Sequence, residues 1–144
     1  MIDTSTSLYG AALLRITLGL AALAHGLVLK VLTFGVGGTV GYFESIGYPG
    51  FFAYLVMFGE IAGGVALLTG VYARTAALLM MPILLGAAAQ HAANGWVFNA
   101  TGGGWEYPVF WTAASLASAL IGPGAFVLKV PFLPREPFFA PSAG

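Results

Sequence analysis

LAALAHGLVLK, residues 20–30, closes an apolar run that begins at Leu8 and is broken earlier only by Tyr9, Arg15, Thr17 and glycines. From Leu8 to Leu29 the run makes about 33 Å of helix at 1.5 Å per residue. That is enough to cross a hydrocarbon core about 30 Å thick. An arginine, a histidine and a lysine on one such helix raise the question of what solvent it meets. Across the 144 residues, 59% are hydrophobic and 7% charged, and the mean hydropathy is +0.92. A soluble domain carries roughly a quarter charged residues, so lipid is the expected solvent for most of this surface.

Three further segments have the length and apolarity of membrane helices: Phe51–Gly70, Ala73–Ala93 and the 17-residue Trp105–Ile121. The expectation is an all-α polytopic membrane protein, an antiparallel bundle of four transmembrane helices. Residues 1–128 form the membrane domain, and 129–144 form a Pro/Phe-rich tail lying extended on the cytoplasmic surface. The first helix reads as retained rather than as a cleaved signal, because MIDTSTS holds no Lys or Arg and Arg15 interrupts the apolar stretch. With the N-terminus in the cytoplasm, Arg15, Arg74, Lys129 and Arg135 fall inside and only Lys30 outside. That distribution favours cytoplasmic N- and C-termini.

The chain has no cysteine and no net charge. The first excludes disulfides, thiol–persulfide chemistry, Cys-ligated zinc and iron–sulfur clusters within this chain, and no metal site is expected. The second implies no nucleic-acid partner. In the loop after the first helix, Val40, Phe43 and Ile46 recur at helical spacing before Gly47 and Pro49. This predicts a short helix at the outer interface, with an irregular loop as the alternative. The link GVYAR, 70–74, is short enough to force helices two and three to be antiparallel neighbours. Trp96 and Trp105, in a polar glycine-rich loop, suit an interfacial aromatic belt.

Each ionisable side chain in a bilayer costs at least about 2.5–3.5 kcal/mol on insertion scales. Counting helix rise puts Arg15 about 10 Å and Glu60 about 15 Å from the cytoplasmic ends of their helices. Arg15 shares a face with Gly19, Ala22 and Gly26, and Glu60 is flanked by Gly59, Gly63 and Gly64. Small residues permit close helix approach, so a buried Arg15–Glu60 ion pair is expected, with a proton-handling Glu60 as the alternative. His25 and His91 fall at one level near the outer side, with Gln90, Asn94 and Glu106 nearby. They predict a polar pocket opening outward. Lys30 reads as an interfacial lysine whose stem lies along apolar surface while its ammonium reaches water.

At these residues the chain resembles the DoxX family of small four-helix bacterial membrane proteins. The resemblance is carried by Arg15, His25-Gly26 and Lys30, by GYFESIGYP at 41–49, and by GEIAGGVALLTGVYAR at 59–74. It continues through HAANG at 91–95, GGGWEYP at 102–108 and Gly122-Pro123-Gly124. It implies a bacterial inner-membrane location and a link to quinone or catechol handling alongside other redox proteins. His25, Lys30, Glu60, Arg74, His91, Asn94 and Glu106 would be the recurrent polar positions.

The leading expectation is a quinone-interacting subunit of a membrane redox system. His25, His91, Glu60 and Glu106 would handle protons, and Lys30, Asn94 and Trp105 would help hold the ring. Nothing in the chain stores electrons, so a partner membrane or redox protein is expected to supply them. The alternative is a non-catalytic membrane scaffold or accessory subunit that docks a partner protein or complex; the expected partner is another membrane or redox protein, or further copies of this chain in a homo-oligomer. A b-type haem held by His25 and His91 is a third, minor reading.

Overall fold

The computed structural model describes residues 4–134 and 136, and these fold into helices and connecting turns with no strand. Helix α1, Thr4–Leu23, runs without a break into a π-helical segment, Ala24–Thr33. Helix α2, Val36–Ser45, follows in the first loop where the Val40/Phe43/Ile46 spacing requires it. Helices α3, Phe51–Thr69, and α4, Ala73–His91, are joined by a turn of three residues, and α5 covers Glu106–Ile121. The turn closes because Gly70 takes the left-handed conformation (φ 78°) and its N–H donates to Ala66 O at 2.9 Å, a glycine helix C-cap. Three spans, 5–33, 51–69 and 73–94, are long and apolar enough to cross a membrane.

The packing order is α1 on α3, α3 on α4, and α4 on α5, with the π segment and α2 both against α3. Buried apolar positions are mostly small: Ala22, Ala53, Ala73, Ala76, Ala77 and Ala119. Large side chains such as Leu13, Phe58, Leu79 and Phe110 face outward. That inversion suits lipid. With hydrocarbon on the outside there is no gain from hiding leucine, and close backbone approach supplies the contacts. One close crossing of α1 on α3 sets Gly19 against Gly64. A Cβ at Gly64 would lie 2.8 Å from Leu23 Cγ and 3.0 Å from Gly19 O. Gly64→Ala is therefore expected to cost about 1–3 kcal/mol through overpacking, read as a lowered unfolding temperature in detergent. An unchanged temperature would mean that α1 and α3 can separate freely.

The Arg15–Glu60 ion pair does not form. Arg15 is fully buried, and its guanidinium donates to the carbonyls of Leu67, Leu68 (2.8 Å), Pro123 (2.8 Å), Ala125 (2.9 Å) and Phe126 (3.2 Å). Leu67 lies seven residues beyond Glu60, about 10 Å further along α3, which puts the carboxylate out of reach. A helix C-terminus presents unpaired carbonyls and the negative end of its dipole. The arginine finds its counter-charge there and not on a side chain.

The same end is tied by Arg74 Nη1 to Ala119 O (3.1 Å), by Leu128 N to Thr69 O (2.8 Å) and by Ala125 N to Leu8 O (2.9 Å). The segment after α5 thus folds back beneath the bundle. Tyr72 Oη donates to Pro134 O at 2.8 Å, and Thr75 N donates to Glu136 Oε1 at 2.6 Å. Arg135 and the end of the tail, 137–144, with its expected extended course, lie outside the described residues.

Candidate functional site

The opposite end of the bundle is built around the π-helical turn. In an α-helix, residues five apart are separated by about 140° around the axis at 3.6 residues per turn. His25 and Lys30 would then face different ways. An i→i+5 ladder stacks such residues instead. Phe34 N to Leu29 O (2.8 Å) continues that ladder in the backbone, and Thr33 Oγ1 to Val28 O (2.8 Å) spans the same five residues from a side chain. Thr39 of α2 donates to Lys30 O at 2.8 Å, pinning the short helix over the widened turn.

Gly26 sits where this turn meets α3, and a Cβ there would come 2.7 Å from Glu60 Cβ. The absence of a side chain lets the π segment press against Glu60. Lys30 Nζ then donates to Glu60 Oε1 at 2.9 Å and lies 2.8 Å from Oε2. The pair is sheltered, with side-chain exposures of 20% for Lys30 and 6% for Glu60. Lys30 is therefore an ion-pair partner and not a lysine reaching for water. Glu60 belongs to the group at this end of the bundle, apart from Arg15.

Beside the pair lies a cavity of about 710 Å³ between the π segment, α2, α3, α4 and α5, within the size range of small-molecule sites. His25, Lys30, Glu60, Gln90 and His91 line it, so the two histidines expected at one level do share one space. Its apolar wall includes Phe43, Tyr48, Phe52, Tyr107 and Trp111. Pro82 and Gly86 open the α4 side; a Cβ at Gly86 would meet nothing within 4 Å.

His25 packs against two of these rings, at centroid distances of 6.1 Å to Tyr107 (stacked) and 5.1 Å to Trp111 (tilted). Its Nδ1 lies 3.0 Å from Ala21 O. A carbonyl can only accept, so Nδ1 carries the proton of the neutral ring.

The remaining expected residues sit outside the cavity. Asn94 Nδ2 donates to Gly102 O (3.0 Å) and Gly103 O (2.9 Å), holding the 95–105 loop against α4 next to His91. Glu106 Oε2 accepts from Phe98 N at 3.2 Å in the first turn of α5, where its charge also complements the helix N-terminus. It borders a separate depression with Trp96 and Phe98. Trp105 packs edge-on against Trp96 at 4.4 Å. All three shape the loop that roofs this end of the bundle.

Reading the polar residues did not find Tyr107, Trp111, Pro82 or Gly86. The signal available was GGGWEYP followed one turn later by Trp111, which puts Tyr107 and Trp111 at i and i+4 on one helix face.

Comparison with known proteins agrees with this architecture. The DoxX family model matches residues 10–99, which include the π segment, the ion pair and both cavity histidines. A Bacillus subtilis (strain 168) protein named "Putative oxidoreductase CatD" is 37% identical over 78 residues, 54% of this chain and 56% of that one. The chain thus spans little more than half the length of the curated relative it matches. No solved structure matches significantly. With the family model covering well over half of the residues, and the helices it covers forming an apolar bundle, the chain belongs to the DoxX family of membrane proteins.

Proposed function

We propose that this protein is a membrane subunit of a redox system and that its cavity receives a quinone ring. The observation that carries this reading is one aromatic-walled cavity of about 710 Å³ into which two histidines and a lysine–glutamate pair are gathered. Reducing a quinone takes up two protons with two electrons, so a site needs proton carriers beside an apolar slot. The imidazoles of His25 and His91 each have one ring nitrogen that can take up a proton and one that can give it up, and Glu60 offers a carboxylate in the same cavity. Lys30 supplies N–H donors for a ring oxygen. The name of the Bacillus relative supports the redox class. Electrons come from a partner protein in this reading, since the chain has no cysteine to ligate a cluster.

In the same reading α5 is a fourth span, about 24 Å long and accommodated by tilt or local thinning of the bilayer. Arg15, Arg74 and Lys129 lie at the cytoplasmic face of a bacterial inner membrane, and the cavity opens toward the outer side. Arg15 and Arg74 bond carbonyls in the last turns of α3 and α5, and Lys129 follows Leu128, whose N–H donates to Thr69 O; three charges at one end suit a positive-inside bias.

Gly86→Leu tests the proposal. The space at Gly86 is open, and replacing a helical glycine gains about 0.5–1 kcal/mol of helix propensity. The variant should fold at least as well as the wild type while filling the cavity. Mass spectrometry of small molecules retained in mild detergent should find a quinone with the wild type and none with Gly86→Leu. Recovery of haem, or of a partner polypeptide without any quinone, would replace this reading with the haem or docking alternative.

A further inference from the structure

The inference rests on the quinone-site reading and deepens it by naming the redox state that the site recognises. We propose that the cavity preferentially binds the reduced, hydroxyl-bearing form of the ring, with His25 Nε2 accepting a hydrogen bond from the ligand's O–H.

The tautomer carries the argument. His25 Nδ1 lies 3.0 Å from Ala21 O, a carbonyl on its own helix one turn back, so the ring's single proton in the neutral state is on Nδ1. Nε2, on the other edge of the imidazole, then presents a lone pair and no hydrogen. Among the described residues Nε2 has no hydrogen-bond partner, the ring's one bond being from Nδ1 to Ala21 O. Tyr107 and Trp111 pack against the ring and hold its plane beside the cavity that all three line. An oxidised quinone brings only acceptor oxygens, and a carbonyl lone pair facing the Nε2 lone pair is repelled. A hydroquinone brings O–H donors and satisfies it.

The other polar wall does not cancel this preference. The Lys30 ammonium donates to Glu60 Oε1 at 2.9 Å, with Oε2 2.8 Å away. With three hydrogens it can also donate to an oxygen of either redox form, so it does not discriminate between them. A hydroxyl can in addition donate to Glu60 Oε2, which has no hydrogen bond of its own among the described residues.

Three ring compounds of nearly one shape decide the matter: 1,4-naphthohydroquinone, 1,4-naphthoquinone and 1,4-dimethoxynaphthalene. Each is titrated anaerobically into the full-length protein in lipid nanodiscs, with quenching of tryptophan fluorescence as the readout. The hydroquinone is expected to bind about tenfold or more tighter than either other ring, the factor that one unmatched buried polar group produces. His25→Phe keeps a ring against Tyr107 and Trp111 but removes the acceptor. It should bring the three affinities to within about threefold of one another.

The wild-type series needs no variant to be conclusive. Equal or tighter binding of naphthoquinone, or equal binding of the dimethyl ether, overturns the inference and leaves a quinone site standing. Failure of all three rings to bind overturns the quinone site itself.

Discussion

Arg15→Met is expected to loosen the whole end of the bundle at which α3 and α5 finish. Five carbonyls converge on one guanidinium there. An orphaned buried acceptor costs about 1–3 kcal/mol. Losing the shared donor should remove at least about 3 kcal/mol, even though carbonyls tolerate partial satisfaction better than N–H groups. Two of the five belong to the last turns of α3 and three to the segment that follows α5, so the lesion should be local in its first effect. Backbone amides at 125–128, including those of Ala125 and Leu128 that bond across to Leu8 and Thr69, should exchange with solvent faster than in the wild type. Arg15→Lys should recover only a minor part of the loss. An ammonium offers three donors from one nitrogen, whereas the planar guanidinium spreads five over a fork. Thermal unfolding in detergent and hydrogen exchange read both effects. Wild-type unfolding temperature and exchange in Arg15→Met would show that the tail segment holds itself in place.

The second large effect concerns the Lys30–Glu60 pair, and its size depends on which partner is removed. Lys30→Met leaves a carboxylate whose side chain is 6% exposed without its ammonium. Breaking a buried pair from one side typically costs about 3–5 kcal/mol. Glu60→Gln should cost less, because the lysine is the more exposed partner and its long stem can carry the charge toward the interface. The double variant Lys30→Met with Glu60→Gln should recover most of the loss, since neither member then leaves a charge behind. That non-additivity, measured as a double-mutant cycle on unfolding temperature, is the signature of a direct pair. Additive effects would mean that the two side chains stabilise the bundle separately.

Much of this molecule is legible along the chain. The helix at 36–45 follows from apolar spacing, and the tight turn at 70–72 follows from a glycine between two apolar runs. The close approach of α1 and α3 follows from Gly19 on one and Gly64 on the other. His25 and His91 at a common depth can be counted from helix rise, and they do line one cavity. These features share a cause. They depend on local period, on chain length, or on residue size, and each of those is written in consecutive residues.

The partners of the charged residues are not written there. Assigning Arg15 to Glu60 assumed that buried charges seek opposite side-chain charges, but backbone carbonyls at a helix end serve as well, and these come from positions 52 to 111 residues away. Lys30 reads along the chain as an interfacial lysine because its partner Glu60 is thirty positions away, and only the packing of the π segment on α3 brings the carboxylate to 2.9 Å. The wider π turn, with α2 and α3 packed against it, sets His25 and Lys30 on one wall. Length and hydropathy by themselves determined a membrane helical protein with its polar groups at two levels. Which charge met which partner, and which polar groups shared a cavity, was decided by the tertiary structure. Pairing in a low-dielectric interior depends on distances of a few ångströms between segments remote in sequence.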